Sequence, residues 1–190
     1  DIIRIKEEIG IPKDKKVLLY APTWRDNSYK LGAGYSHSFA VDFDRLQKEF
    51  GGEYVLLIRS HYFIKSDDLP EIEGFIYNVS QHSDVNELYV ISDVLITDYS
   101  SVFFDYANLK RPMIFHKYDY DSYGSEIRGF YIDVNKELPG PITKTDDDLI
   151  KAIKNVYTKE YDAKYKVFNE KYNYLDDGNA SKRVLEVLKK

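Results

Sequence analysis

Short, continuous apolar runs alternate with amphipathic stretches along most of this chain. Val17-Leu18-Leu19-Tyr20-Ala21 sits between Lys15-Lys16 and Pro22. A short apolar run without alternation fits a strand buried on both faces, as a parallel sheet requires. Tyr54 to Arg59, Phe75 to Val79, Asp93 to Asp98 and Arg111 to His116 have the same character. Helices are predicted between them. In the opening segment Ile2, Ile5 and Ile9 share one face, Asp1 can cap it, and Gly10 suits its end. Asp42 to Phe50 reads as a helix stopped by Gly51-Gly52. Val85 to Ile91 reads as another, capped by Ser83 or Asp84, and a further helix runs from the serines at 100 and 101 to about Asn108. After Pro22 to Asp26, the polar, Gly-containing stretch to about Ser38 lacks periodicity and is predicted to be a loop.

Strands alternating with helices predict an α/β fold, a doubly wound parallel sheet with helices on both faces. The Pro139-Gly140-Pro141 break marks the hand-over from sheet to tail. The tail from about Thr145 is predicted to be mostly helical, interrupted near Asp176-Asp177-Gly178. The expected division is a sheet domain over 1–143 and a helical segment over 144–190.

The chain has 190 residues, 43% hydrophobic and 31% charged, enough for one packed domain. Its 27 basic residues against 32 acidic ones give a net charge of -5, which argues against a general nucleic-acid binder. An anionic ligand would need a local site, since the overall field repels it. The absence of Cys excludes disulfides, thiolate catalysis and Cys-ligated metals. No apolar run approaches the roughly 18 residues of a membrane span, and no signal-peptide layout opens the chain, so a cytoplasmic placement is expected. No Met precedes Asp1, as in a segment of a longer protein or a processed terminus. Aromatic residues make up 15%, and they either pack the core or line a base or sugar site.

Parallel sheets bind ligands outside the carboxyl ends of their strands, so three strand exits draw the candidate chemistry. Asp98-Tyr99-Ser100-Ser101 joins a strand directly to a helix. Free amides and two hydroxyls there suit a phosphate; equally, Ser100 is an N-cap. Asp105 lies one turn further on, either facing the cleft or solvated. Arg59-Ser60-His61 offers a guanidinium fork and a proton carrier on the same side of an extended segment. His61 could equally be a structural hydrogen-bonder. Pro22 fixes the direction of the first exit. Thr23 adds a hydroxyl and an amide, Trp24 stacks on a base or caps the core, and Arg25 reaches a phosphate or pairs with a carboxylate. His37, His82 and His116 are weaker candidates. There is no Gly-x-Gly-x-x-Gly, no Gly-Lys-Ser/Thr phosphate loop, no Gly-x-Ser-x-Gly elbow and no paired-histidine metal spacing. Asp93 and Asp98 do not form a convincing metal pair and no ligand cluster is visible, so no metal residue and no cofactor are assigned and metal dependence stays open.

Leu18 to Arg25, Arg59-Ser60-His61 and Ser92 to Ala107 resemble the CDP-glycerol glycerophosphotransferase family, the teichoic acid primases and polymerases of Gram-positive walls. Arg111 to Phe115 and Asp119 to Gly129 also fit, so the resemblance covers nearly the whole chain. It implies a Rossmann-like lobe, the C-terminal, nucleotide-donor half of a glycosyltransferase-B-type fold. It implies transfer of glycerol phosphate from CDP-glycerol to the terminal hydroxyl of a lipid-linked poly(glycerol phosphate) chain, releasing CMP. By the same resemblance Pro22 and Thr23 line the donor site. Arg59 and His61 meet the diphosphate, Ser60 belongs to the same donor-binding set, and His61 is the catalytic histidine. Ser100 and Ser101 hold phosphate, and Asp105 holds a donor hydroxyl. Trp24, Arg25 and Asp98 are lesser candidates. The implied partners are the CDP-glycerol donor, the lipid-linked acceptor and an N-terminal lobe of the same polypeptide, without which this half is expected to turn over little. The implied place is the cytoplasmic face of the membrane, peripherally bound. Residues 161–190 either pack on their own domain or cross to that lobe. The alternatives are a CDP-ribitol transferase or capsule polymerase, a UDP-sugar transferase or epimerase, and a non-catalytic nucleotide-binding or interaction module.

Overall fold

A computed structural model describes residues 1–23, 29–30, 34–35, 39, 41–60, 69–118, 132–133, 136–157 and 159–189. The chain opens with α1 (Ile2–Ile9), then β1 (Lys16–Ala21), β2 (Tyr29–Lys30), β3 (Gly34–Tyr35), α2 (Phe43–Phe50), β4 (Tyr54–Ile58) and β5 (Ile76–Asn78). It continues through α3 (Val85–Ile91), β6 (Val94–Thr97), α4 (Val102–Ala107), β7 (Met113–His116) and β8 (Ile142–Thr143). Three helices close it: α5 (Asp146–Lys154), α6 (Lys159–Tyr172) and α7 (Ala180–Leu188).

Six of these strands form one sheet in the order β5-β4-β1-β6-β7-β8, and every pairing is parallel. The chain winds outward from β1 in one direction, then returns to β6 on its other side. That reversal is the topological switch of a Rossmann-like sheet and opens a crevice at the carboxyl ends of β1 and β6. The central strands are apolar throughout because both faces are covered. Val17, Leu19, Val55, Leu57, Leu95 and Phe115 pack with Ile5 of α1, Leu88 and Ile91 of α3, Phe103 and Tyr106 of α4, and Phe168 of α6. Leu18, Tyr20, Leu56, Ile58, Val94 and Ile114 pack on the opposite face with Leu46 and Phe50 of α2 and Leu149, Ile150 and Ile153 of α5. Each fully buried Leu, Ile or Val contributes about 2 kcal/mol of transfer free energy.

Helix ends follow the local chemistry. Gly10 adopts φ 83°, and its N–H bonds Glu7 O while that of Ile11 bonds Lys6 O, closing α1. Asp42, Asp84 and Thr145 each accept an N-terminal amide of their helices. The stretch predicted as a loop after Pro22 holds the small antiparallel β2–β3 ribbon. A sixth strand, β8, follows the Pro-Gly-Pro break and was not predicted, since two residues carry no periodicity. Its seat depends on Gly140, where a Cβ would stand 1.9 Å from Met113 O and 3.3 Å from the Phe115 ring.

The tail divides in two. In α6, Tyr165 and Phe168 are buried, and Asn173 just beyond it donates to Phe104 O at 2.7 Å. Glu137 fastens this helix to the preceding segment by accepting from Lys171 Nζ and the Tyr172 hydroxyl, while its Oε1 takes the Asp133 amide at 3.0 Å. By contrast α7 buries none of its residues, and Val184, Leu185, Val187 and Leu188 are exposed.

Two outcomes are expected. Gly140→Ala drives a Cβ into backbone and should cost about 2 kcal/mol or more in urea unfolding, whereas Gly52→Ala, with open space around its Cβ, should be close to neutral. The Lys171 ammonium, then the Tyr172 hydroxyl and the Asp133 amide, hold the Glu137 carboxyl down to about 2. The unfolded carboxyl titrates near about 4.3, so the contribution is full above that value and is lost as pH falls through about 2. Amide protection in α6 should therefore decline across that window, and Glu137→Gln should remove the dependence.

Candidate functional site

The crevice at the switch point is held together by one carboxylate. Asp98, 3% exposed, follows directly on β6. Its Oδ1 accepts the Thr23 amide at 2.7 Å, the Thr23 hydroxyl at 2.6 Å and the Tyr99 amide at 2.6 Å. One residue earlier, the Thr97 hydroxyl donates to Ala21 O at 2.7 Å. The exits of β1 and β6 are thus stitched side by side before any ligand arrives. Pro22 and Thr23 stand half-exposed on one side of the crevice, and Tyr99 and Ser100 on the other.

The two serines differ. Ser100 Oγ accepts the Val102 amide at a long 3.4 Å, a weak version of the expected cap. Ser101 occupies the N-cap position of α4 but its side chain makes no capping bond, and the residue is exposed. Its hydroxyl faces solvent at the crevice. The helix behind it has six residues, so its dipole is small and the donors are the hydroxyls and first amides.

At the neighbouring exit of β4, Arg59 takes Tyr20 O with its amide at 3.0 Å. Its Nη1 donates to His82 O at 2.9 Å and Val79 O at 3.3 Å. This guanidinium braces the turn after β5, a role that the expectation of a diphosphate contact did not include. Ser60 is buried, and its amide and hydroxyl meet Ser80 Oγ at 3.1 and 2.9 Å. Asp105 is exposed on α4, yet its charge reaches the buried Tyr89 hydroxyl. Burial, followed by Asp105 and countered by Arg59, pushes that phenol up to about 12. Both charges thus lie within electrostatic reach of the Tyr89 hydroxyl. His61, Trp24 and Arg25 lie outside the described residues.

His116 bonds Thr143 Oγ1 through Nδ1 at 3.0 Å and is buried, tying β7 to β8. His82 Nε2 meets Glu87 Oε2 at 2.9 Å, and Arg4 holds the other oxygen of Glu87 at 2.6 Å. Among the described residues no group of three metal-ligating side chains converges.

Sequence reasoning passed over Lys117. It is fully buried at the end of β7, with Nζ 5.5 Å from the Tyr99 ring centroid and 5.9 Å from that of Phe115. Burial pushes its ammonium down to about 8, against the pull of the Asp98 charge. Only the β6–β7 register, with Thr97 opposite Phe115, brings this cation beside the crevice; no local motif announces it.

The family described as CDP-glycerol:poly(glycerophosphate) glycerophosphotransferase matches residues 1–190. This chain belongs to that family. It is 45% identical over 187 residues to the teichoic acid poly(glycerol phosphate) polymerase of Bacillus subtilis (strain 168), covering 97% of this chain and 25% of that protein. It is 42% identical over 197 residues to the teichoic acid poly(ribitol-phosphate) polymerase of Bacillus spizizenii, covering 96% of this chain and 29% of the other. The solved wall teichoic acid polymerase TagF superposes with TM-score 0.86 at 42% identity, over 98% of this chain and 46% of TagF. A variant of TagF soaked with CDPG matches equally well, at TM-score 0.86 and 42% identity over 98% of this chain and 46% of that one. The UDP-GlcNAc 2-epimerase of Neisseria meningitidis shares the fold alone, at TM-score 0.60 and 14% identity over 99% of this chain and 48% of that one. The chain thus spans from a quarter to about half the length of its relatives.

Thr23→Val deletes one donor to a buried carboxylate. It should lower stability by about 1.5 kcal/mol, read as a shifted urea midpoint with unchanged slope.

Proposed function

We propose that this chain forms the donor-binding part of an enzyme that moves glycerol phosphate from CDP-glycerol to the terminal hydroxyl of a membrane-linked poly(glycerol phosphate) chain, releasing CMP, in wall teichoic acid synthesis. The observation that carries the reading is the family match over residues 1–190, on a fold whose switch-point crevice presents Thr23, Ser100 and Ser101 together. The acceptor oxygen attacks the glycerol-bearing phosphorus, the bond from that phosphorus to the CMP oxygen breaks, and a base takes the hydroxyl proton. Developing charge on the departing phosphate is met by fixed donors rather than by the net field of the protein. In this reading Pro22 and Thr23 line the donor, Ser100 and Ser101 hold phosphate, and Asp105 takes a donor hydroxyl. Arg59 and Ser60 shape the adjoining exit that leads to His61, the proposed catalytic histidine. The acceptor is lipid-linked and the enzyme works peripherally at the cytoplasmic face of the membrane, completed by a further lobe of the same polypeptide. No helix among the described residues is long and apolar enough to cross a membrane.

A second donor has specific support. The ribitol-phosphate polymerase is nearly as similar as the glycerol-phosphate one, so sequence identity does not separate CDP-glycerol from CDP-ribitol. Isothermal titration of the intact protein with CDP-glycerol, CDP-ribitol and UDP-N-acetylglucosamine tests both readings. Binding of a CDP-polyol but not the UDP-sugar is expected. Ser101→Ala should weaken that binding by about tenfold while leaving stability within about 0.5 kcal/mol, because its hydroxyl makes no capping bond. Equal binding of the UDP-sugar, or an indifferent Ser101→Ala, would sink the donor assignment. For His61→Ala, turnover lost at unchanged donor affinity marks proton transfer, whereas lost affinity marks a phosphate clamp.

A further inference from the structure

We infer that Ser80 is a positioning residue for donor turnover, acting through Ser60 at the exit of β4. The inference rests on the donor reading above, but its basis is the way the β4–β5 ladder ends.

β4 and β5 pair with Ile58 opposite Asn78. Leu56 gives its amide to Phe75 O at 2.7 Å, and Ile58 O takes the Val79 amide at 2.9 Å. A parallel ladder repeats every two residues, so the next rung would join the Ser60 amide to Val79 O. The protein uses both groups differently. Val79 O accepts from Arg59 Nη1 at 3.3 Å, and the Ser60 amide goes to Ser80 Oγ at 3.1 Å. The two serine hydroxyls share a further hydrogen bond of 2.9 Å. A side chain thus replaces a carbonyl as the last rung. The pairing of the two strands can stop there with the buried Ser60 amide still satisfied.

Ser80 is itself held without this hydroxyl. Its amide donates to Asn78 Oδ1 at 3.0 Å. Two residues on, His82 O accepts from Arg59 Nη1 at 2.9 Å, and His82 Nε2 meets Glu87 Oε2 of α3 at 2.9 Å. The turn after β5 is therefore fixed by other contacts, and the Ser80 hydroxyl serves Ser60. Without it the Ser60 amide would be buried and unpaired, a cost the chain can relieve only by shifting until water reaches it. Such a shift moves the backbone of Arg59 and Ser60, both assigned to the donor site, and the peptide bond that leads into His61. The Ser80 hydroxyl keeps that backbone in place.

Ser80→Ala and Ser80→Thr in the intact protein test this. Urea unfolding first sets conditions in which every variant is folded. There Ser80→Ala should lower kcat/KM for CDP-glycerol about tenfold, and Ser80→Thr, which keeps the hydroxyl, should stay within about threefold of the wild type. Amide hydrogen exchange at Ser60 should quicken about tenfold in Ser80→Ala but not in Ser80→Thr, with the Leu56 amide unchanged in both. A Ser80→Ala protein with wild-type kcat/KM overturns the inference even if it is less stable, since a purely structural serine would behave that way. An equal loss in both variants also overturns it, because the cause would then be the space around the side chain rather than the hydroxyl. So does a slowed Ser80→Ala enzyme whose Ser60 amide exchanges at the wild-type rate, because the effect would not pass through Ser60. A wild type that leaves CDP-glycerol unused removes the donor reading and this inference with it, while exchange at Ser60 still reports on the contact itself.

Discussion

A parallel sheet that reverses direction leaves a gap at its switch point, and something must keep the two diverging strand exits in register. Here that task falls to Asp98. One carboxylate oxygen gathers an amide and a hydroxyl from the β1 exit and an amide from the β6 exit. Ionised carboxylates accept shorter and stronger hydrogen bonds than neutral groups, so a single atom sets the geometry of both walls. The crevice is therefore preorganised by the protein. Binding energy from a ligand need not be spent on assembling it.

The surrounding structure is consistent with that demand. Both faces of β1, β4 and β6 are covered, so the strands carrying the exits are held by core on each side. Close packing makes such strands poor candidates for sliding, and the crevice inherits their rigidity. The exposed ion pairs between α2 and α5, Lys154 with Glu49 and Arg45 with Asp147, add little by comparison.

The legible parts of the sequence were those where one physical cause acts alone. Val17 to Ala21 and Tyr54 to Ile58 read as buried strands because nothing but double-sided burial tolerates such runs. Val85 to Ile91 read as a helix because Asp84 caps it. The illegible parts depend on distant partners. Ile142–Thr143 is a strand only because Gly140 lets the chain approach Met113. Lys117 looks like a surface residue after a strand, yet it is fully buried beside the Tyr99 ring. In the crevice, the grouping of Thr23 with the serine turn was legible from the rule that ligands sit at strand ends. The use of Arg59 on backbone carbonyls was not, because carbonyl acceptors carry no signature in the sequence. The sequence offers Ser100 and Ser101 as a pair; the fold separates the weakly capping hydroxyl of Ser100 from that of Ser101, which makes no capping bond.

The sheet places its shortest parallel strands at its margins: β5 has three residues and β8 two. A sheet margin is a row of unsatisfied amides and carbonyls, and a long flat one recruits strands from other molecules. Three residues on one side and two on the other give an incoming chain too few hydrogen bonds to offset the entropy of ordering it. The brevity of these two margin strands thus also guards the folded molecule against edge-to-edge association. It does so by leaving nothing long enough to copy.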